Sequence, residues 1–234
     1  MYDFLRMGGF GLYIAFLVPP LLFGLAVQQW LKKTVAKNAA VPVASGLTGA
    51  QVARQILDRN GLTEVEIHHA AGGALADHYD PRKRAVFLSE TVHDSASVTG
   101  TAVAAHEVGH ALQHAQGYVP LRLRSTMFPA VAFASSFWII LLMGGAVLGA
   151  LGLVQLALLL YAIAVLFHFV TLPVEFNASR RAGQQLQALG LTSSGEARGV
   201  KSVLNAAAMT YVAGALAALT QLLYFAMVFL GDND

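Results

Sequence analysis

From Ser125 to Val174 the chain contains no Asp, Glu, Lys or Arg. One helical crossing of a bilayer core takes about 20 apolar residues, so this stretch is long enough for two. Gly144, Gly145, Gly149 and Gly152 punctuate its middle, which predicts a tight turn between helices at 127–149 and 152–173. Gly8 to Trp30 is a further uncharged apolar run, followed directly by Lys32 and Lys33. A cleaved signal peptide is the rival reading there, but the run is too long, Pro19 and Pro20 interrupt it, and the basic pair resembles a stop-transfer flank. A fourth span is expected at 206–230, where Ala213, Gly214, Ala217 and Ala218 supply the small residues of helix-packing faces in lipid.

Composition agrees: 56% of the residues are apolar and only 12% charged, with a mean hydropathy of +0.58. Ten basic residues lie between Lys32 and Arg124, four between Glu175 and Lys201, and only Arg6 elsewhere. The positive-inside rule therefore places both charged loops in the cytoplasm. An even number of crossings separates them, so both can contribute to one site. The pI of about 9.0 is unaccompanied by a basic stripe with interleaved aromatics, so no nucleic-acid partner is expected. With no cysteine, any metal must rest on His, Asp or Glu.

The first loop, 34–124, reads as a compact α+β region. Thr48 and Gln51 form a capping box that opens a helix ended by Gly61, and Glu64 to His69 and Arg84 to Ser89 read as strands around a turn region with Gly72, Gly73 and Asp80-Pro81. A helix is predicted from Val98 to Gln116, stopped by Gly117. In the second loop, 174–205, Ser193 and Glu196 make another capping box.

His106-Glu107-Val108-Gly109-His110 sets two imidazoles at i and i+4 on that helix, so both project from one face, a spacing that suits a single zinc. Glu107, one step round the helix, can reach an attacking water, whose pKa falls to about 7 on coordination, and act as general base. Gly109 leaves room beside the metal. A catalytic zinc generally takes three protein ligands. Glu175, at the mouth of the third span, is the candidate, because an ionised carboxylate there is costly unless paired or bound to a cation. Its other reading is an interfacial partner for Arg180 or Arg181. His114 drifts about 80° off the His106 face and reads as a helix-end residue. His168 lies about 10 Å deeper in the bilayer and reads as a buried histidine. His68, His69 and His93 have no partner at metal spacing and read as exposed.

Ala104 to Gln113 (AAHEVGHALQ), Asp77 to Pro81 (DHYDP) and Leu172 to Ala182 (LPVEFNASRRA) together resemble the bacterial membrane-bound neutral zinc metallopeptidases of the YugP type. More distantly they are similar to HtpX and the CAAX prenyl endopeptidases. The resemblance implies a mainly α membrane protein of four transmembrane helices, with a small α+β zincin-like (gluzincin) catalytic domain on the cytoplasmic side. It also implies one zinc per chain on His106, His110 and Glu175, with Glu107 as base. In the distant relatives the later motif carries an Asp that supports a ligand histidine, and here that position is Ser179. Ser179 and Asn177 are candidates to support the ligands, and Arg180, Arg181, His78 and Tyr79 are candidates for the oxyanion donor. The expected partners are the lipid bilayer and a membrane-associated polypeptide substrate, and the expected location is the bacterial plasma membrane. A zinc-stabilised scaffold or holdase is the alternative. A transporter is disfavoured, since His168 is the only ionisable group of its kind within the predicted spans.

Overall fold

Where no water is at hand, an apolar segment can satisfy its backbone only within a helix or a closed barrel, and four long helices dominate this chain. The computed structural model describes residues 9–73 and 76–230. Gly8, the expected start of the first span, and Arg6 of the charge count lie outside the described residues. Helices α1 (Gly9–Ala39), α5 (Val119–Leu148), α6 (Leu151–Ala188) and α7 (Ser194–Leu230) are each long and apolar enough to cross a membrane. Between α5 and α6 the chain reverses at Gly149, which takes a left-handed φ of 65°. Gly145 is needed in the same turn, because a Cβ there would lie 2.9 Å from the Val154 nitrogen.

The described chain divides into two units. The first holds residues 9–28, 123–172 and 210–230. Inside it Trp138 stacks on Tyr161 with ring centroids 4.3 Å apart, and the Tyr161 hydroxyl donates to Gln221 Oε1 at 2.8 Å. Leu22, Phe128, Ile140, Val147 and Leu159 face outward, an apolar exterior that suits lipid rather than water. His168 is half-buried beside Gly214, 3.6 Å from the place a Cβ would occupy.

The second unit holds residues 29–122 and 173–209. It contains α2 (Gly49–Arg59), β1 (Glu66–His69), β2 (His78–Asp80), β3 (Ala85–Leu88), the short α3 (Glu90–His93) and α4 (Val98–Ala115). Both hydrogen bonds of the Thr48–Gln51 capping box are present at the start of α2. Ser193 and Glu196 make the corresponding pair at the start of α7. Gly61 and Gly117, with φ of 72° and 64°, follow the ends of α2 and α4. The sheet has the order β1-β3-β2, with β1 parallel and β2 antiparallel to β3.

Strand β2 falls where the sequence predicts only a turn. Three residues are too few to display an alternating pattern, and long-range bonds fix them instead. The Asp77 carboxylate accepts from the Ser89 backbone N–H at 2.7 Å and from its hydroxyl at 3.0 Å. His78 stacks on Phe87 of β3, with centroids 4.8 Å apart. At the turn that follows, Asp80 accepts from the Arg82 and Lys83 N–H groups, which hold its carboxyl below the usual range against the desolvation that would raise it.

Val52, Ile56 and Leu57 of α2, Val86 and Leu88 of β3 and Val98 to Leu112 of α4 form one core with Ala182, Leu186, Val200 and Val203. All but four of the eighteen residues of α4 are buried, so this helix is the centre of the unit. Polar side chains on it must find partners inside the protein.

Candidate metal centre

His106 and His110 stand one turn apart on α4, with ring centroids 4.8 Å apart and planes at 88°. Glu175 of α6 is 2% exposed. Its Oε2 lies 3.2 Å from His106 Nε2 and 3.6 Å from His110 Nε2. Among the described residues, one donor atom from each of these side chains lies within 4.8 Å of the other two. Four ligands held about 2.0–2.1 Å from a tetrahedral zinc sit about 3.3 Å from one another, so the observed separations match the edges of such a site. Both imidazoles turn the same nitrogen toward the carboxylate. The donor set therefore fits zinc in chemistry and in spacing.

The approach of α6 to α4 depends on Gly109. A Cβ at that position would lie 2.6 Å from the Ala178 carbonyl oxygen. The expectation that this glycine opens space beside a metal is thus corrected: the space is filled by the backbone of α6. Because Ala178 lies one turn from Glu175, contact at the one fixes the reach of the other.

Burial alone would lower the proton affinity of His110. The hydrogen bond that protonated His110 donates to Glu175, together with the charges of Glu107 and Glu175, more than offsets it, and the pKa is raised. A buried imidazole facing carboxylates favours a positive charge between them. Glu107 is itself buried on α4, adjoining His106 in sequence.

The other sequence candidates divide. Ser179 Oγ lies 3.2 Å from His106 Nδ1, so the serine that stands where distant relatives carry Asp does face a histidine of the trio. Asn177 Oδ1 accepts from Gln113 Nε2 at 3.0 Å and from Arg181 Nε at 2.7 Å. Arg181 also donates to Gln116 Oε1 at 2.5 Å and lies over the Tyr118 ring. Arg180 lines a groove with Phe176, Gln184 and Lys201. His78 donates through Nδ1 to the Ala76 carbonyl at 2.8 Å and does not join the trio. The Tyr79 hydroxyl and His114 Nδ1 are hydrogen-bonded at 2.8 Å, and burial raises the Tyr79 pKa above its usual value.

Two features escaped the sequence. Gln113 is fully buried, and its Oε1 lies 3.0 Å from His110 Nδ1. Its position three residues after His110, on the same helix face, is the signal that could have found it. The expectation that His69 and His93 have no partner at metal spacing is corrected: they converge with Asp94, with the two rings 3.7 Å apart and His93 Nδ1 2.6 Å from Asp94 Oδ1, because the strand and the helix end bring together residues far apart in sequence. This second trio joins β1 to the end of α3, and its His69 and Asp94 are open to solvent.

Residues 13–230 match the model of a family described as "Putative neutral zinc metallopeptidase". The chain is 46% identical over 223 residues to the "Putative membrane protease YugP" of Bacillus subtilis (strain 168), covering 95% of this chain and 99% of that protein. No solved structure matches it significantly.

Proposed function

The chain belongs to the neutral zinc metallopeptidase family, and from that premise we propose that it is an integral-membrane zinc endopeptidase acting on membrane or membrane-associated polypeptides at the cytoplasmic face. One observation carries the reading: the Nε2 atoms of His106 and His110 converge on a single carboxylate oxygen of Glu175. These three side chains would hold one zinc per chain. When bound there, zinc supplies a Lewis acid for the scissile carbonyl and makes the attacking water acidic near neutral pH.

Glu107 takes the proton of that water as general base and returns it to the leaving amine as general acid. Its burial on α4 keeps bulk water from competing for the proton. Ser179 holds the His106 ring through Nδ1, more weakly than a carboxylate in the same place. The orientation rests on the ten and four basic residues of the two charged loops, and the bacterial plasma membrane is proposed as the setting by analogy with the Bacillus subtilis relative named a membrane protease.

The test is Glu107→Gln. A missing general base lowers turnover by roughly 10²–10⁴-fold, so the variant should retain zinc and lose cleavage of a peptide panel. If it retains biological activity while cleaving nothing, a zinc-stabilised scaffold replaces the peptidase. Retained cleavage would remove Glu107 from the mechanism.

A further inference from the structure

Gln113 has no part in the chemistry just described, yet it is a fully buried amide whose hydrogen-bond partners, His110, Val174 and Asn177, all lie inside the protein. An amide presents an acceptor on one side and two donors on the other, and its neighbours decide which way it points. Two neighbours leave no choice. The Val174 carbonyl oxygen, 2.8 Å from Gln113 Nε2, can only accept. Arg181 Nε, 2.7 Å from Asn177 Oδ1, can only donate, so the Asn177 atom between Arg181 and Gln113 is the oxygen. Gln113 therefore turns its NH2 toward both acceptors. A flip would set its carbonyl oxygen against two other oxygens in a place with no solvent to relieve it.

The atom left facing His110 Nδ1 is thus Oε1, at 3.0 Å, which has no proton to give. We propose that Gln113 is a positioning residue that holds the proton of the neutral His110 ring on Nδ1, so that Nε2 is the nitrogen left to bind the metal beside Glu175. The chain of constraint runs from Arg181 through Asn177 and Gln113 to His110, and it ties the later motif to the earlier one by hydrogen bonds that bypass the zinc. Without Gln113 the ring could place its proton on Nε2, and zinc would have to displace that tautomer before binding. An oxygen accepting from Nδ1–H also makes Nε2 a stronger donor to a metal.

This inference rests on the zinc site proposed above, and the experiment separates the two. Zinc affinity of the full-length protein in detergent is measured by chelator competition for the wild type, Gln113→Met and Gln113→Glu, with thermal unfolding as the check on folding. Losing a partner that orients a ligand costs roughly 10–100-fold in metal affinity, so Gln113→Met should weaken zinc by that factor. Gln113→Glu can donate a carboxyl O–H to the Val174 carbonyl and accept from His110 with its other oxygen while leaving Asn177 Oδ1 without its donor, and should lose less zinc affinity than Gln113→Met, as expected if the acceptor for His110, not the side-chain volume, is what counts. Equal affinity in a folded Gln113→Met, or equal losses in both variants, would overturn the role of Gln113. A wild type that binds no zinc would overturn the site itself. A measurement on the wild type alone guards against a misfolded variant: with cobalt in place of zinc, the Nδ1–H protons of coordinated histidines give hyperfine-shifted resonances that exchange in D2O. The His110 proton, held by a buried Oε1, should outlast that of His106, and equally fast loss of both would refute the proposal.

Discussion

Adding one methyl group at Gly109 tests the helix contact on which the proposed metal centre depends. In the Gly109→Ala protein the new Cβ would lie 2.6 Å from the Ala178 carbonyl oxygen, where ordinary van der Waals contact begins at 3.4 Å. Either α4 or α6 must yield by the difference, 3.4 − 2.6, or 0.8 Å. Overpacking of this kind costs about 1–3 kcal/mol, while removing a glycine from a helix interior returns about 0.5–1 kcal/mol, so the fold should survive with a modest net loss. The metal site has less latitude, since ligand distances are held to about ±0.2 Å. Glu175 lies one turn before Ala178, so a displacement of α6 carries its carboxylate away from both imidazoles. We expect zinc affinity to fall at least tenfold, about 1.4 kcal/mol, with a larger loss of peptidase activity. Chelator competition and total metal content of the purified protein read the first effect, and a quenched-peptide assay the second. A Gly109→Ala protein with wild-type affinity and turnover would refute the claim that close backbone approach sets the ligand geometry.

Zinc binding should weaken as pH falls, because protons and metal compete for His110. Since its pKa is raised in the folded protein, competition begins above the ordinary imidazole value of about 6.5, and an affinity that is flat between about pH 8 and 6 would contradict this. In the metal-free protein the sign reverses: the same shift stabilises the fold below about pH 6.5 and is lost as pH rises through the higher folded-state value. Thr48→Ala removes the acceptor for the Gln51 N–H and should cost about 1 kcal/mol of stability with zinc affinity unchanged, read by thermal unfolding and chelator competition on the same sample. Reporters fused near Asn38 and Gly190 should both be cytoplasmic, and finding them on opposite faces would break the proposed shared site. Zinc stoichiometry is best compared with a His106→Ala, His110→Ala control, because His69, His93 and Asp94 offer a second, exposed set of donors.

Much of the site was legible because its signals are local. The i, i+4 histidines declare one helix face, the capping boxes and terminal glycines mark where helices start and stop, and the loss of charge over fifty residues forces long helices. Glu175 stood out because an acidic residue at the end of such a stretch needs a cation or a partner. Strand β2 did not stand out, because its pairing depends on Asp77 reaching Ser89 twelve residues away. The role of Gly109 was misread for a similar reason: a missing side chain shows that space is needed but not what fills it.

The order of residues alone pointed to His106, His110 and Glu175 as one candidate metal set and to the segments too apolar for water, since both follow from side-chain chemistry and from the fixed period of a helix, but it did not show the His69, His93 and Asp94 trio. Tertiary structure decided the rest: that Glu175 comes within 3.6 Å of both imidazoles, that Ser179 and Gln113 take the far nitrogens of the two rings, and that Asn177 faces Gln113 instead of the histidines. Except for Gln113 and His110, which are neighbours on one helix, those contacts join residues more than sixty positions apart. No local period reports on them, because they depend on how closely two helices pack, and here that distance is set by one hydrogen atom in place of a methyl group.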